Sequence, residues 1–409
     1  MDIYLLDWAN LLLRWLHVIV GIAWIGSSFY FVLLDNSLVP PEDAALKDKG
    51  VTGELWAVHG GGFYNPQKYQ VGPKVMPKGH LHWFYWESYW TWMSGFALFV
   101  VLYLWNANTF LIDSRVFAWP APWMAVAASL VYLVAGWIVY DVICRLFGHN
   151  PDGSIGGDLR VGVLIFVYVC IATWIACHLF AGRAAFLLTG AMIATIMSAN
   201  VFFWIIPGQR KVVADLQAGR KPDPIHGQRG KQRSVHNTYF TLPVLIAMLS
   251  NHYGMTWQHP QNWLVLIGLM LLGALVRAFF VLRHKGPARW DLVGAIVVLI
   301  GALVWFVAPK FEPAPAAAAP PALGADGKPA SDWQQVQGVF AARCVMCHNA
   351  QLASKNVRLD SPQAIAANAQ QVYQQAVVLK LMPMNNATQI TDAERALIGR
   401  WFNAGAKTE

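Results

Sequence analysis

Charged residues are scarce in this chain of 409 residues: Asp, Glu, Lys and Arg make up 13% of it, whereas 56% is hydrophobic. A soluble domain carries about 25% charged residues, so the composition excludes an ordinary soluble protein and indicates one surrounded by lipid. Cysteine is also scarce, with five residues in all, which excludes a disulfide framework. Cys144, Cys170 and Cys177 lie in or beside apolar stretches, and we expect them to be buried thiols.

The first ten residues, MDIYLLDWAN, contain two acids and no base. They lack the basic region and the small-residue cleavage site of a secretory signal peptide. We therefore expect the first apolar stretch to be retained as a membrane helix.

The sequence predicts an all-α fold, with residues 1–308 forming a bundle of eight transmembrane helices. Each predicted span is close to the roughly 20 residues that a bilayer requires. The spans lie near 10–34, 82–105, 119–141, 161–180, 184–206, 237–253, 261–282 and 290–308. The sixth span is the shortest and contains Pro243. No two histidines are adjacent, which argues against a haem–copper terminal oxidase.

Charge predicts the orientation of these spans. With the N-terminus outside, the outer loops between helices carry only Arg115 and Arg183, and the remaining loops carry many Lys and Arg residues. This asymmetry follows the positive-inside rule. The net charge of +8 is thus explained by topology and requires no nucleic-acid partner.

Residues 309–330 are rich in Pro and Ala and predict an extended tether, followed by a separate small domain over residues 331–409. An even number of spans from an outside start places this domain outside as well. Its sequence ARCVMCHNAQ contains Cys344, Cys347 and His348 in the C-x-x-C-H spacing that attaches a c-type haem. A zinc or redox C-x-x-C with an incidental histidine is the alternative.

The end of the tail is typical of a class I cytochrome c, in which a Met-Pro precedes a capped helix. Met382 directly precedes Pro383 and is our expected axial ligand opposite His348, with Met384 as the alternative. Thr391 and Glu394 form a T-x-x-E capping box. We expect the apolar side of the following helix to pack against Val339 and Phe340. That apolar side comprises Ile390, Leu397, Ile398 and Trp401.

Histidines inside a membrane are costly and commonly functional. His17 lies on the first span with Arg14 one turn away, and His178 and His252 lie toward the outer ends of later spans. One hypothesis is a second haem, of b type, held by His17 with His178 or His252, with Arg14 at a propionate. The alternative is that these histidines form hydrogen bonds between helices.

Two cytoplasmic segments have the composition of a ligand site for a flat, polar, anionic heterocycle. Loop 35–81 and the start of the next span supply the candidate proton-transfer groups His59, His80, His82 and Glu87, together with Tyr64 and Asn65. The segment RGKQRSVHNTYFTLP adds Arg229, Arg233, His236 and Asn237. A glycine-rich turn with interfacial aromatics, and the positive-inside rule, are the alternatives that need no ligand.

Several segments resemble the membrane-bound bacterial urate oxidases (urate hydroxylases) that carry a fused cytochrome c. They include WLHVIVGIAWIGSSFYFVLLDNSL, HGGGFYNPQKY, LHWFYWESYWTWMSGFALF, VFFWIIPGQRKVV and RSVHNTYFTLPVLIAMLSNHYG. The resemblance extends over the whole chain. It assigns no binding residue by position.

The resemblance implies oxidation of urate with water to 5-hydroxyisourate without peroxide. Electrons would pass through haem c to a soluble cytochrome c or a terminal oxidase, and the protein would lie in the bacterial inner membrane with its tail in the periplasm. Cytoplasmic urate would then require electrons to cross about 30 Å of hydrocarbon, which is the argument for a haem b. The alternative is a non-catalytic electron-transfer subunit that serves a separate dehydrogenase.

Overall fold

A computed structural model describes residues 2–77, 79–284, 286–308, 332–351 and 357–408, and the chain is mostly helical. The helices of residues 2–308 are α1 (Asp2–Ser37), α2 (Ala44–Asp48), α3 (Trp86–Phe99), α4 (Ala107–Phe110), α5 (Pro122–Phe147), α6 (Asp158–Leu179), α7 (Gly182–Ala199), α8 (Ile206–Gln217), α9 (Pro224–Leu249), α10 (Gly254–Trp257), α11 (Asn262–Arg283) and α12 (Trp290–Val307). One π-helical turn, Val100–Leu104, extends α3, and another, Asn200–Ile205, joins α7 to α8. A 3₁₀ turn, Ser250–His252, follows α9.

Among the described residues, six helices are long and apolar enough to cross a membrane, which is compatible with a multi-pass membrane protein. They are Leu5–Ser37, Pro122–Phe147, Asp158–Leu179, Gly182–Gln217, Asn262–Arg283 and Trp290–Val307. The second and sixth predicted spans correspond to α3, which has 14 residues, and to α9, whose first half is polar. The count of eight spans stays a prediction.

Helix α7 lies at the centre of the bundle and packs against α5, α6 and α9. Most of its side chains are buried, and many of them are small. A methyl group added at Gly190 would come within 2.7 Å of the Ala247 side chain on α9. Small residues let helix backbones approach closely where lipid provides no hydrophobic driving force between helices.

Loop 38–85 contains short strands, which the all-helical prediction missed. Strands β1 (Gly53–Glu54) and β4 (Gln67–Lys68) pair antiparallel, as do β2 (Ala57–His59) and β3 (Gly62–Tyr64). The β2–β3 hairpin turns at Gly60 and Gly61, both with positive φ. Glycine adopts this backbone region without the steric cost of a side chain.

The tail has a hydrophobic core of its own. Its elements are α13 (Asp332–Arg343), α14 (Pro362–Ala367), α15 (Ala369–Val372), a π-helical turn Tyr373–Val378, a 3₁₀ turn Met384–Asn386 and α16 (Asp392–Asn403). The capping box is confirmed: the Glu394 N–H donates to the Thr391 hydroxyl, and the Thr391 N–H donates to the Glu394 carboxylate. The predicted packing of α16 on α13 is also confirmed, with Phe340 and Trp401 ring centroids 5.9 Å apart. The predicted tether over residues 309–330 lies outside the described residues.

Candidate active site

A buried polar network lies where α5, α9 and the π-helical turn after α7 meet. The Asp141 carboxylate on α5 accepts hydrogen bonds from the Arg233 guanidinium at 2.8 Å and from the Trp204 indole at 2.8 Å. It also pairs with Arg145 at 2.6 Å. Helix α9 is positioned for this contact by its start, where Pro224 occupies the first turn and the Asp223 side chain accepts from the Ile225 N–H.

The π-helical turn supplies two members of the network, Asn200 and Trp204. Such turns are rare in proteins overall, and those that occur are often found at functional sites. The extra residue in the turn redirects the side chains around it. Here the turn directs Asn200 toward α5 and α9 together: its amide donates at 2.9 Å both to the Tyr140 hydroxyl and to the Asn237 side-chain oxygen.

This chain of hydrogen bonds favours one tautomer of His236. The Asn237 amide donates to the Met197 carbonyl at 3.0 Å, so its oxygen accepts from Asn200. Asn200 donates to the Tyr140 oxygen, and the Tyr140 O–H can in turn donate to His236 Nδ1, 2.8 Å away. In this arrangement neutral His236 carries its proton on Nε2.

His236 also lines a cleft of about 630 Å³ between α6, α9 and α11. Polar side chains at one end of it include Asp158, Gln228, Lys231 and Gln232, and the rest of the wall is mostly apolar. The Gln232 amide donates to the Asp158 carboxylate at 3.3 Å. A cleft of this size with a few convergent polar groups has the character of a small-molecule site.

Three guanidinium groups lie over the Trp204 ring: those of Arg145, Arg229 and Arg233, at 5.1, 5.5 and 5.3 Å. Asp141 pairs with two of them, Arg145 and Arg233. Within the described part of the chain, Nη1 of the buried Arg233 has no hydrogen-bond partner. These arginines are not among the residues that line the cleft, whose wall carries one cation, Lys231, and one carboxylate, Asp158.

The structure brings together the second predicted segment. Arg233, His236 and Asn237 are members of the network, and Arg229 lies on its Trp204. The structure places the residues of the first predicted segment outside this network. His59 and Tyr64 are exposed on the β2–β3 hairpin, and the Asn65 amide donates to Glu54 at 2.9 Å.

The other first-segment residues lie near the start of α3. His80 lines a smaller cavity of about 390 Å³ with Arg210, and the His82 ring contacts Phe84 edge-on at 4.6 Å. Glu87 lies half-buried in the first turn of α3. Proton-transfer chemistry at the cleft is therefore more accessible to His236 than to these groups.

His17 makes its contacts between helices through Nδ1. This atom lies 3.0 Å from the Ser94 hydroxyl and 3.1 Å from the Thr91 carbonyl on α3, and the ring packs on Gly95. Arg14 donates to Asn10 on its own helix. His178 and His252 are exposed, and His178 Nδ1 bonds to the Trp174 carbonyl of its own helix. Contacts at Nδ1 do not exclude an iron ligand at Nε2, so the haem b and the hydrogen-bonding alternative both stay predictions.

The tail residues do fit a haem c. His348 Nδ1 lies 3.0 Å from the Val357 carbonyl, so its N–H donates there and Nε2 remains for iron. Cys344 packs against the tail core, and burial raises the pKa of its thiol to about 12. Met382 and Met384 are both half-buried.

The described residues contain no group of three or more His, Cys, Asp or Glu side chains that could hold a metal ion. A haem with one histidine and one methionine ligand requires no such group. The predicted ligand pair His348 and Met382 therefore stays a prediction.

The family model described as urate oxidase N-terminal matches residues 3–308. The chain belongs to this family. It is a urate oxidase-related protein, and the family implies urate as its substrate. The match covers the membrane-type helices and ends before the tail. No curated protein and no solved structure matches the chain.

The sequence prediction missed several residues of the buried polar network, chiefly Tyr140, Asp141, Asn200 and Trp204. A signal was present, because Asp141 and Asn200 are polar residues within predicted apolar spans, a placement that is costly and commonly functional. The π-helical turn, which directs Asn200 toward α5 and α9, has no comparable signal in the sequence.

Proposed function

We propose that this protein is a membrane-bound oxidoreductase that converts urate and water to 5-hydroxyisourate. The oxygen of water forms a new bond to C5 of the purine ring, while two electrons and two protons leave. The observation that carries the proposal is the position of His236, which lines the cleft and is held at Nδ1 by Tyr140. Membership of the urate oxidase family supplies the substrate.

The cleft suits urate in size. Urate is a planar monoanion near neutral pH, and Lys231 on the cleft wall is a cation that can pair with it. The Nε2–H of His236 is a donor for a carbonyl oxygen or ring nitrogen of the purine, where negative charge develops during attack. Asp158 is a carboxylate on the cleft wall that can accept a proton from the attacking water.

In this proposal Cys344 and Cys347 attach the haem c, and His348 and Met382 supply its axial ligands. The haem would accept electrons from the oxidation and pass them to a soluble cytochrome c or a terminal oxidase, so no peroxide forms. The protein lies in the bacterial inner membrane with eight spans and the tail in the periplasm. One contact supports placing the tail on the same side as the predicted outer loops. The Gln258 amide, in one of these loops, donates to the Lys380 carbonyl of the tail at 3.1 Å.

Isotope labelling under anaerobic conditions tests this function. The purified full chain, supplied with an artificial electron acceptor in ¹⁸O-labelled water, should form 5-hydroxyisourate that carries the label. His236→Gln should abolish most turnover, whereas His284→Gln, at an exposed position after α11, should retain it. Turnover that requires O₂ and yields peroxide would contradict the proposal. Absence of turnover with every acceptor would favour an electron-transfer subunit that serves a separate dehydrogenase.

A further inference from the structure

A second cavity, of about 390 Å³, lies between loop 38–85 and α8. Its volume falls within the range of about 300–1,000 Å³ that is usual for small-molecule pockets. Its polar side chains are His80 from the loop and Arg210 and Gln217 from α8, and Trp83 supplies an aromatic wall. No Asp or Glu is among the described residues that line it. The cavity is therefore polar, cationic and partly aromatic, and the reaction proposed at the cleft leaves it without a role.

The cavity is built by packing of the loop on α8. Leu216 of α8 contacts Gly72 so closely that a methyl group added at Gly72 would overlap the Leu216 side chain. The Arg210 guanidinium lies over the Tyr85 ring, 6.0 Å from its centroid. Gly72 precedes the lining segment 79–83 and Tyr85 follows it, so α8 contacts the loop on both sides of that segment.

Arg210 is available to a ligand in this cavity. Within the described part of the chain its guanidinium makes no ion pair or hydrogen bond, and its contact with the face of Tyr85 leaves the N–H groups available. The nearest acid along α8, Asp215, is already paired with Arg220 at 2.6 Å. Arg210 and His80 are both exposed, so a molecule that enters the cavity reaches them directly.

The lining defines the class of ligand. The parallel N–H groups of a guanidinium match two acceptors held side by side in a planar anion, and an indole ring provides a face for stacking. Amide and imidazole groups can bond to the remaining polar edges. Ionised urate presents such an anionic edge, a carbonyl oxygen next to a deprotonated ring nitrogen. We propose that this cavity is a second binding site for urate, in which Arg210 pairs with the anionic edge and Trp83 stacks on the purine.

The position of the cavity relative to the cleft suits a site that collects substrate. A methyl group added at Gly208 of α8 would lie 3.3 Å from the His226 carbonyl oxygen of α9, so the two helices are in contact there. From that contact α8 runs toward the connecting loop 218–223, which the sequence predicts to be cytoplasmic, and carries the cavity with it. Helix α9 runs the other way, to the cleft residues Gln228 and Lys231. The inference rests on the proposed function for the identity of the ligand, and it requires no reaction at the cleft.

Protection of an engineered thiol tests the site. Ala214 is exposed and lines the cavity, whereas Ala218, exposed at the end of the same helix, is not among the lining residues. A maleimide should label Ala214→Cys in the purified full chain. At a urate concentration about ten times Kd the labelling rate should fall about tenfold, because it follows the unoccupied fraction of sites. Ala218→Cys is the matched control and should be labelled at the same rate with and without urate. Peptide mass spectrometry assigns the label, so the native cysteines do not interfere.

Two further comparisons establish what the site recognises. In the Ala214→Cys chain, Arg210→Gln should abolish protection by urate, whereas Lys211→Gln, at an exposed position outside the lining, should retain it. Inorganic phosphate should protect far less than urate at the same concentration, because it has no plane to stack on Trp83. Absence of protection by urate, equal protection at Ala218→Cys, or protection that survives Arg210→Gln would overturn the proposal. Equal protection by phosphate would overturn the assignment to a purine.

The test does not depend on turnover. Loss of protection with intact formation of 5-hydroxyisourate would reject this site and leave the proposed function standing. Protection without any turnover would support the site while the proposed function failed.

Discussion

The Tyr140 hydroxyl lies 2.8 Å from Nδ1 of His236, and Asn200 donates to the same hydroxyl at 2.9 Å. The two contacts leave Tyr140 as the donor to His236, so the histidine presents an N–H at Nε2. The residues that produce this arrangement come from α5, α9 and the π-helical turn after α7. The packing of these three elements thus favours one tautomer of His236 at the cleft.

Tyr140→Phe removes the donor that holds His236 and leaves the cleft wall unchanged in shape. We expect kcat with urate to fall about tenfold, or ~1.4 kcal/mol of transition-state free energy, with a smaller change in KM. Steady-state kinetics of the full chain check this result. Tyr132→Phe is the matched control, because that hydroxyl donates to the Ala172 carbonyl away from His236; equal loss in both variants would contradict a specific role for Tyr140.

Asp141→Asn leaves the buried Arg233 without its charged partner. Breaking one side of a buried ion pair costs about 3–5 kcal/mol, so the melting temperature of the chain should fall clearly. Thermal unfolding of the detergent-solubilised protein measures it. Asp215→Asn interrupts the exposed pair with Arg220 and should cost less than about 1 kcal/mol. Comparable losses in the two variants would mean that the Asp141–Arg233 contact adds nothing to stability.

The capping box of α16 predicts a pH dependence in the tail. Partial burial raises the pKa of Glu394, but its bonds with the Thr391 backbone and with Arg343 outweigh this effect, and the net pKa is lowered. A lowered carboxyl pKa stabilises the folded state at neutral pH, and this contribution is lost as the pH falls through the lowered value. Glu394→Gln should therefore lower the free energy that protects the amides at the start of α16 by about 1 kcal/mol at neutral pH. Hydrogen exchange there should be correspondingly faster.

The native chain and Glu394→Gln should converge in exchange rate, after correction for intrinsic rates, as the pH drops below that lowered pKa. Asp360→Asn, which removes the partner of Arg358 elsewhere in the tail, is the control and should leave α16 unchanged. A difference between the native chain and Glu394→Gln that persists at low pH would contradict an electrostatic origin.

The tail ligands are separable by mutation. Cys344→Ala combined with Cys347→Ala should abolish covalent haem, measured by the pyridine haemochrome of denatured protein. Met382→Ala should retain covalent haem and lose the sulfur–iron absorption band, whereas Met384→Ala should keep that band. The opposite outcome for the two methionines would assign the axial position to Met384, and a band retained in both variants would exclude a methionine ligand.

The sequence predicted most of the helices and part of the site. The apolar runs predict helices that the structure contains, and the T-x-x-E pattern predicts the capping box that Thr391 and Glu394 form. Both signals are local, so neighbouring residues suffice to determine them. The segment with Arg233, His236 and Asn237 was also found, because polar residues at the start of an apolar stretch are conspicuous.

The remainder depends on contacts between distant residues. The pairing of Asp141 with Arg233 joins residues 92 positions apart, and no local pattern reports it. The sequence predicts His59, His80 and His82 of the first loop alongside the second segment because their chemistry is suitable, but they are not among the residues that line the cleft. His17 was open to two interpretations, and its packing on Gly95 depends on how α1 meets α3.

The most direct test of the account is the absorbance of haem c after urate is added, without oxygen, to the oxidised full chain. The account predicts reduction of the haem by urate, with each urate supplying two electrons and each haem accepting one, and loss of that reduction in His236→Gln. A haem that dithionite reduces but urate leaves oxidised, in a preparation that binds urate, would contradict it.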